Sequence, residues 1–283
     1  MRIDAHHHVW DLAVRDQEWT AELPLLHRTY LLAELRPDLL AAGIDRTVLV
    51  QTIAVAEETT EFLELAAGEG ADVVAGVVGW VDLTAPDVAD RLAALCEGPG
   101  GDRLVGIRHL LHSEPDPSWL NRPDVRRGLA AVGAAGLAYD LLMRPVHLPA
   151  AIDTVRALPD VRFALDHVAK PPIASGELEP WRSGVRRLAD APNVAVKLSG
   201  MVTEADPERW TVADLRPYAD VVLEAFGPAR TMFGSDWPVC LLAADYASVV
   251  AAAEQLTSAL TPAERVAIFG ETATAWYRLP GGS

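Results

Sequence analysis

Three consecutive histidines near the start of the chain, His6, His7 and His8, are the first residues whose types suggest chemistry. They lie inside the segment IDAHHHVW, without the polar linker residues that accompany an affinity tag. If residues 2–9 form a strand, the side-chain period of two places Asp4, His6 and His8 on one face. The other face then carries Ile3, Ala5, His7 and Val9. The useful pattern is therefore His6-x-His8, a pair of imidazoles that could bind a metal ion, and His7 is structural.

Further polar residues that are costly to bury stand at the ends of other apolar segments. They are Arg108, His109, Asp140, His167, Lys197 and Asp236. Imidazole and carboxylate groups are ligands for Zn²⁺ and similar cations, and a carboxylate can also take a proton from water. Taken singly, His167 could instead be a hydrogen-bonded core histidine, and Asp236 could be a helix N-cap before Pro238.

The elements that would position these residues alternate between strands and helices. Eight short apolar or β-branched segments predict strands at residues 2–9, 45–52, 73–81, 104–110, 137–143, 162–168, 193–200 and 231–237. Segments with helical periodicity lie between them, and a capping box at Thr261 opens a last helix through AERVAIFGETATAWYR. The pattern predicts one (β/α)8 TIM barrel over residues 1–283, closed by that C-terminal helix. A doubly wound sheet is less favoured, because the sequence lacks GxGxxG after its first strand and lacks GxxxxGK[ST].

A barrel would bring the strand ends to one pocket. His6, His8, His167 and Asp236 would then form a set of three imidazoles and one carboxylate suited to a divalent metal ion. Donors to substrate hydroxyl or carboxylate groups are expected at Arg108, His109 and Lys197. The segments 11–31 and 112–122 are candidate lids, and His112 is the loop histidine expected to reach substrate. Trp10 and Trp237, next to the proposed ligands, either seal the barrel mouth or stack on a sugar ring.

Composition excludes several classes of function. The chain has 24 Lys+Arg against 40 Asp+Glu, a net charge of −16, which argues against a nucleic-acid partner. No apolar segment is long enough to span a membrane and no secretory signal is present, so we expect a cytoplasmic location. The two cysteines, Cys96 and Cys240, show no metal or disulfide spacing and are interpreted as free thiols.

Six segments together carry a family resemblance that spans essentially the whole chain. They are IDAHHHVWD, GVVGWVDL, VGIRHLLHSEPDPSWL, RFALDHVAKPP, NVAVKLSGM and TMFGSDWPVC. In this order they resemble the amidohydrolase-related, metal-dependent hydrolases of TIM-barrel fold, and most closely the sugar-lactonase branch of the L-fuconolactonase and L-rhamnonolactonase type. The resemblance implies site histidines at His6, His8 and His167 and an acid/base aspartate at Asp236. It also implies a substrate-contacting basic pair around Arg108 and His109.

The residues at the ends of two predicted strands differ from those of the wider amidohydrolase superfamily. The fourth predicted strand offers Arg108 and His109 with no bridging lysine or glutamate. The fifth offers Asp140, which we assign to substrate contact, where many relatives have a metal-binding histidine. We therefore expect at most one divalent metal ion, zinc by ligand type, in a branch that includes lactonases functioning without one.

The reaction expected from this resemblance is opening of a sugar-acid lactone by water, with Asp236 as base and then acid. A metal-dependent decarboxylase on the same scaffold, a lactonase for a non-sugar lactone and a non-catalytic sugar-acid binding protein are the alternatives. The expected partners are a small-molecule sugar lactone and, in a homo-oligomer, further copies of the chain.

Overall fold

Eight short parallel strands form the barrel in a computed structural model that describes residues 1–280. They are β1 Ile3–His7, β2 Arg46–Val50, β3 Val74–Gly79, β4 Leu104–His109, β5 Ala138–Leu141, β6 Arg162–Leu165, β7 Val194–Leu198 and β8 Thr231–Phe233. Each strand pairs with the next along the chain, from β1 to β8. Nearly every strand residue is buried, as expected where a parallel sheet has a packed interior and a helical exterior. The predicted (β/α)8 barrel is confirmed.

The barrel closes just beyond the end of β8, which is only three residues long. The amide of Asp236 donates to the carbonyl oxygen of His6 at 2.8 Å, and the amide of His8 donates to that of Trp237 at 2.7 Å. These two bonds join the first and last strands where their carboxyl ends meet. They bring Asp236 beside the histidines although more than two hundred residues separate them in the sequence.

Helices surround the sheet. Over the described residues the α-helices are α1 Leu32–Ala41, α2 Ala56–Ala67, α3 Val88–Glu97, α4 Pro123–Ala134, α5 Leu148–Ala157, α6 Trp181–Ala189, α7 Met201–Glu204, α8 Val212–Phe226, α9 Tyr246–Leu256, α10 Pro262–Val266 and α11 Thr272–Tyr277. The predicted closing helix is present in two parts, since a π-helical turn over Ala267–Glu271 divides α10 from α11. The predicted capping box is also present, with Thr261 Oγ1 accepting from the amide of Glu264. The side chain of Tyr277 enters the barrel interior and packs with Ile3 and Val48.

The predicted strands are longer than the observed ones at their carboxyl ends. Residues 8–9 and 234–237 form irregular segments after β1 and β8, and residues 166–168 form a short 3-10 helical turn after β6. The apolar segments continue past the strands because the turns at the barrel mouth are buried as well. Consequently His8, His167 and Asp236 are held by turns that begin where the strands end.

A β-bulge in β1 changes which faces its side chains occupy. Asp4 pairs with Thr47 and His7 pairs with Leu49, so two residues of β1 oppose a single residue of β2 between these pairs. The inserted residue shifts the alternation of inward and outward side chains by one position.

The bulge makes one part of the predicted strand pattern wrong. Ile3 and Ala5 point into the barrel interior. Asp4 lies outside it, where its Oδ2 accepts from the hydroxyl of Tyr246 in α9 at 3.0 Å. Asp4 therefore does not share a face with His6 and His8. His6 and His8 still lie close together, because the bulge turns His6 inward directly after Ala5.

Cys96 and Cys240 are free thiols, as predicted. Within residues 1–280, no helix combines the length and the apolar sequence that crossing a lipid bilayer requires.

Candidate active site

Three imidazole nitrogens surround one carboxylate oxygen at the mouth of the barrel. Oδ1 of Asp236 lies 3.4 Å from Nε2 of His8, and 3.7 Å from Nε2 of both His6 and His167. The Nε2 atoms of His6 and His8 are 3.2 Å apart. The structure thus brings together the four residues that the sequence places at the ends of the first, sixth and eighth strands.

The second nitrogen of each imidazole fixes the orientation of its ring. Nδ1 of His8 lies 2.7 Å from the carbonyl oxygen of Val50, which can only accept, so this nitrogen carries the proton. Nδ1 of His167 lies 2.9 Å from Oγ of Ser199. Nδ1 of His6 lies 3.1 Å from Nζ of Lys197 and 3.4 Å from Oδ1 of Asp166. All three Nε2 atoms are therefore directed at Asp236.

This donor set fits a divalent metal ion. A ring nitrogen of His6, a ring nitrogen of His167 and an oxygen of Asp236 lie within 4.8 Å of one another, close enough to share one cation. Zinc takes nitrogen and oxygen ligands at about 2.0–2.1 Å, which puts neighbouring ligand atoms roughly 3.3 Å apart in a tetrahedral site. The separations around Asp236 are close to that value. Imidazoles whose other nitrogen is held by a carbonyl, hydroxyl or carboxylate are the usual metal-binding form.

Strained backbone presents two of these residues. His167 and Asp236 both have left-handed conformations, with φ of 50° and 61°. Such conformations cost roughly 1–2 kcal/mol for a residue other than glycine, and they cluster at functional sites. Gly200, with φ of 60°, lies against the His167 ring, and a Cβ atom there would be 2.6 Å from Nδ1. A glycine is therefore required beside this histidine.

Burial shifts the pKa values of the site groups. It lowers the pKa of His167 to about 4 and that of His6 well below its ordinary value, so both imidazoles are neutral near pH 7. Burial acts in the opposite direction on Asp236, but the interactions with His167, His8 and His6 outweigh it and hold the pKa of this carboxyl below its usual range. The site therefore presents an ionised carboxylate beside the neutral imidazoles of His6 and His167.

Four buried charges lie beneath the imidazoles, and we call them the buried charge cluster: Arg108, Asp140, Asp166 and Lys197. Nζ of Lys197 lies 2.5 Å from Asp140 Oδ2 and 3.1 Å from Asp166 Oδ1. Nη1 of Arg108 lies 3.0 Å from Asp166 Oδ2. Two cations thus balance two carboxylates, as burial of charge requires. Lys197 and Asp140, expected in contact with substrate, lie below the histidines.

A cavity of about 790 Å³ opens above the imidazoles. His8, His167 and Asp236 line it, and so does His112, which the sequence predicts to reach substrate. Other lining residues include the cations Arg15, Arg108, Arg144 and Lys170 and the apolar side chains of Trp19, Leu23, Ile53, Val55, Leu110 and Leu142. The wall thus combines hydrogen-bond donors with apolar surface, which suits a small polar ligand that has apolar faces.

Residues 3–279 match the family described as amidohydrolase. The chain belongs to the amidohydrolase family. The family resemblance carried by the six sequence segments is therefore confirmed. The match covers all eight strands and the closing helix.

Two curated relatives of this amidohydrolase carry the same name. An L-fucono-1,5-lactonase of Burkholderia ambifaria is 40% identical over 283 residues, which cover 98% of this chain and 96% of that protein. A second L-fucono-1,5-lactonase, of Burkholderia multivorans, is 41% identical, with 99% of this chain and 97% of that protein covered. A crystal structure of an amidohydrolase from Burkholderia multivorans with bound zinc is also 41% identical, with a TM-score of 0.92 over 99% of this chain and 100% of that chain.

Three residues expected to contact substrate in the amidohydrolase lie behind the cavity wall. The ring of Trp10 packs against Trp19 and Tyr30, and its Nε1 donates to a backbone carbonyl. Trp237 packs edge-on against Tyr30. His109 stacks on Trp119 with ring centroids 4.4 Å apart and is bonded to Glu114 through Nε2. These side chains support the loops that form the wall.

Four residues around the site of the amidohydrolase were not predicted from its sequence. Asp166 could have been predicted as a site residue, because it is an acidic residue inside the apolar segment RFALDHV and directly precedes His167. Trp19 was noted only as part of a lid, and in the structure it lines the cavity. Arg144 and Lys170 also line it, but nothing in their local sequence distinguishes them from surface cations.

Proposed function

We propose that this amidohydrolase opens the ring of a sugar-acid lactone by hydrolysis. The observation that carries the proposal is the ionised carboxylate of Asp236, with three imidazole Nε2 atoms 3.4–3.7 Å away, at the wall of a cavity large enough for a sugar. The full-length relatives at 40% and 41% identity are L-fucono-1,5-lactonases, which makes an aldonolactone of that kind the favoured substrate.

Asp236 is the group we assign to proton transfer. Its carboxylate takes a proton from water as the water oxygen bonds to the lactone carbonyl carbon. The bond from that carbon to the ring oxygen then breaks, and Asp236 returns the proton to the ring oxygen, which becomes a hydroxyl group. The products are the open-chain sugar acid and the unchanged carboxylate, so the proton and electrons balance.

His6, His8, His167 and Asp236 are the residues we assign to holding one divalent cation. When bound there, such a cation supplies Lewis acidity toward the lactone carbonyl. This assignment depends on the neutral imidazoles of His6 and His167 and on the fixed orientation of the three rings, and the ligand types favour zinc.

The cavity wall suggests how a sugar lactone is recognised. Arg144, Lys170 and His112 offer N–H donors to hydroxyl oxygens. The indole of Trp19, which lines the same cavity, offers an apolar face for the C–H side of a sugar ring. We assign these four side chains to substrate binding and leave the transfer of protons to Asp236.

The test is acid release from a panel of aldonolactones, including L-fucono-1,5-lactone and L-rhamnono-γ-lactone, by the purified protein. We expect hydrolysis well above the spontaneous rate for at least one L-sugar lactone. A parallel sample treated with a chelator and then restored with zinc measures the contribution of the metal. Failure to hydrolyse any member of the panel contradicts the proposal, and release of carbon dioxide from a carboxylated substrate would instead identify a decarboxylase.

A further inference from the structure

Helix α11, the second part of the closing helix, reaches into the barrel from the end opposite the cavity. Tyr277, its last residue, is only 2% exposed and packs among the interior side chains Ala138, Ala195 and Met232. Its hydroxyl group donates to Oδ1 of Asp140 at 2.7 Å. A residue at the floor of the barrel thus bonds directly to the buried charge cluster.

The contacts continue from Asp140 to the site. The other oxygen of Asp140, Oδ2, lies 2.5 Å from Nζ of Lys197. The same ammonium group lies 3.1 Å from Nδ1 of His6 and 3.1 Å from Oδ1 of Asp166, which is itself 3.4 Å from Nδ1 of His6. The path from the closing helix to the imidazole therefore consists of consecutive polar contacts, all of them between buried side chains.

We propose that Tyr277 is a positioning residue for His6. This inference rests on the proposed function only in treating His6 as a site residue. The hydroxyl group of Tyr277 fixes the plane of the Asp140 carboxylate, so that a single oxygen of Asp140 faces Lys197. The ammonium group of Lys197 is then held 3.1 Å from Nδ1 of His6 and 3.1 Å from Oδ1 of Asp166.

Loss of the Tyr277 hydroxyl group changes this distribution of contacts. The freed Oδ1 of Asp140 is buried and has no other partner among the described side chains, so the carboxylate turns to present both oxygens to Lys197. Lys197 moves toward Asp140 and away from Nδ1 of His6 and from Asp166. The polar contacts with Lys197 and Asp166 that orient the His6 ring are then weakened, and Nε2 of His6 is no longer fixed toward Asp236. Replacing a residue that holds the ligands of a metal site commonly lowers metal affinity or activity by about 10- to 100-fold.

The test compares Tyr277→Phe with Trp276→Phe in the full-length protein. Trp276 is the neighbouring residue of α11, and its Nε1 donates to the carbonyl oxygen of Phe163 at 3.1 Å. Both substitutions remove one hydrogen bond between the closing helix and the barrel, but Trp276 has no contact with the buried charge cluster. Zinc affinity is measured by competition with a chromophoric chelator, and kcat and KM are measured separately on the best aldonolactone.

For Tyr277→Phe we expect zinc to bind about 10-fold more weakly and kcat to fall about 10-fold, with KM within about twofold. For Trp276→Phe we expect a lower melting temperature with zinc affinity and kcat unchanged. The proposal would be overturned if the two variants changed zinc affinity and kcat equally, or if Tyr277→Phe left zinc affinity unchanged. If Tyr277→Phe does not fold, Asp140→Asn is measured in the same two assays, and unchanged zinc affinity in that variant is equally decisive. Because zinc affinity needs no substrate, this result is independent of whether the lactone panel succeeds.

Discussion

Nε2 of His167 lies 3.7 Å from Oδ1 of Asp236, and both residues adopt left-handed backbone conformations. The strain continues beyond His167, since Val168, Ala169 and Lys170 also have positive φ angles. Four consecutive residues of this kind without a glycine are energetically costly and persist only where surrounding packing holds them. The two turns after β6 and β8 therefore store strain at the place where the imidazole and the carboxylate meet.

Replacement of Gly200 by alanine should disable His167 with little change elsewhere. The added Cβ would lie 2.6 Å from Nδ1 of His167 and force the ring away from Asp236. We expect kcat to fall by about 10-fold or more, because small displacements in a catalytic site have large effects. Gly176→Ala is the matched control, since it has a φ of 72° and no atom within 4 Å of a new Cβ. Gly176→Ala should lose stability by about 1–2 kcal/mol and keep its kcat. Similar kcat values for the two variants would contradict the predicted displacement.

His7 should affect acid stability and leave catalysis unchanged. Its side chain is buried with Nε2 2.9 Å from Oγ1 of Thr47, and burial lowers its pKa from 6.5 to about 3. Between these values the unfolded chain binds a proton that the folded protein does not. Stability is therefore lost as pH falls from about 6.5 toward 3, by up to about 1.4 kcal/mol per pH unit from this residue.

Replacement of His7 by glutamine removes that contribution. Free energies of unfolding measured in urea at pH 7, 6 and 5 should show a shallower decline for His7→Gln than for the unmodified protein. Part of the decline should remain, because burial also lowers the pKa values of His112 and His167. At pH 7 the rate of lactone hydrolysis should stay within about twofold. A parallel decline in both proteins would argue against a neutral buried His7.

Arg108 and Arg144 both line the cavity, but they should respond differently to replacement by alanine. Arg108 is buried and pairs with Asp166, so its loss leaves a buried carboxylate short of a partner. We expect Arg108→Ala to reduce the free energy of unfolding by about 3–5 kcal/mol. Arg144 is exposed at the cavity wall, so Arg144→Ala should raise KM about 5-fold with stability within about 0.5 kcal/mol. The assignment of Arg144 to substrate binding fails if KM is unchanged.

Much of the fold followed from hydrophobic periodicity. Eight apolar segments separated by helical ones indicated the barrel, and the barrel in turn placed His6, His8, His167 and Asp236 together, because parallel strands end at one mouth. The closing helix was indicated by the capping box at Thr261. These features depend on patterns that extend over many residues and are therefore robust to local irregularities.

The details that could not be predicted depend on contacts between distant residues. The bulge in β1 has no glycine or proline to mark it, so Asp4 was assigned to the wrong face. Lys197 and Asp140 look like substrate ligands in the sequence, but their mutual ion pair is visible only once β5 and β7 are placed on either side of β6. Whether Trp10 or Trp19 faces the cavity is decided by the packing of segment 11–31, which has no periodic pattern.

The most direct measurement for the proposed reaction is kcat of Asp236→Asn on the best aldonolactone, with zinc content determined in the same preparation. Asparagine is nearly isosteric and cannot take up the proton, so we predict that kcat falls by roughly 100-fold or more, as expected for loss of a general acid-base group. If Asp236 also binds the metal, zinc content will fall together with kcat. A folded Asp236→Asn protein that keeps its zinc and hydrolyses the lactone at the unmodified rate would contradict the assignment of Asp236 as the catalytic carboxylate.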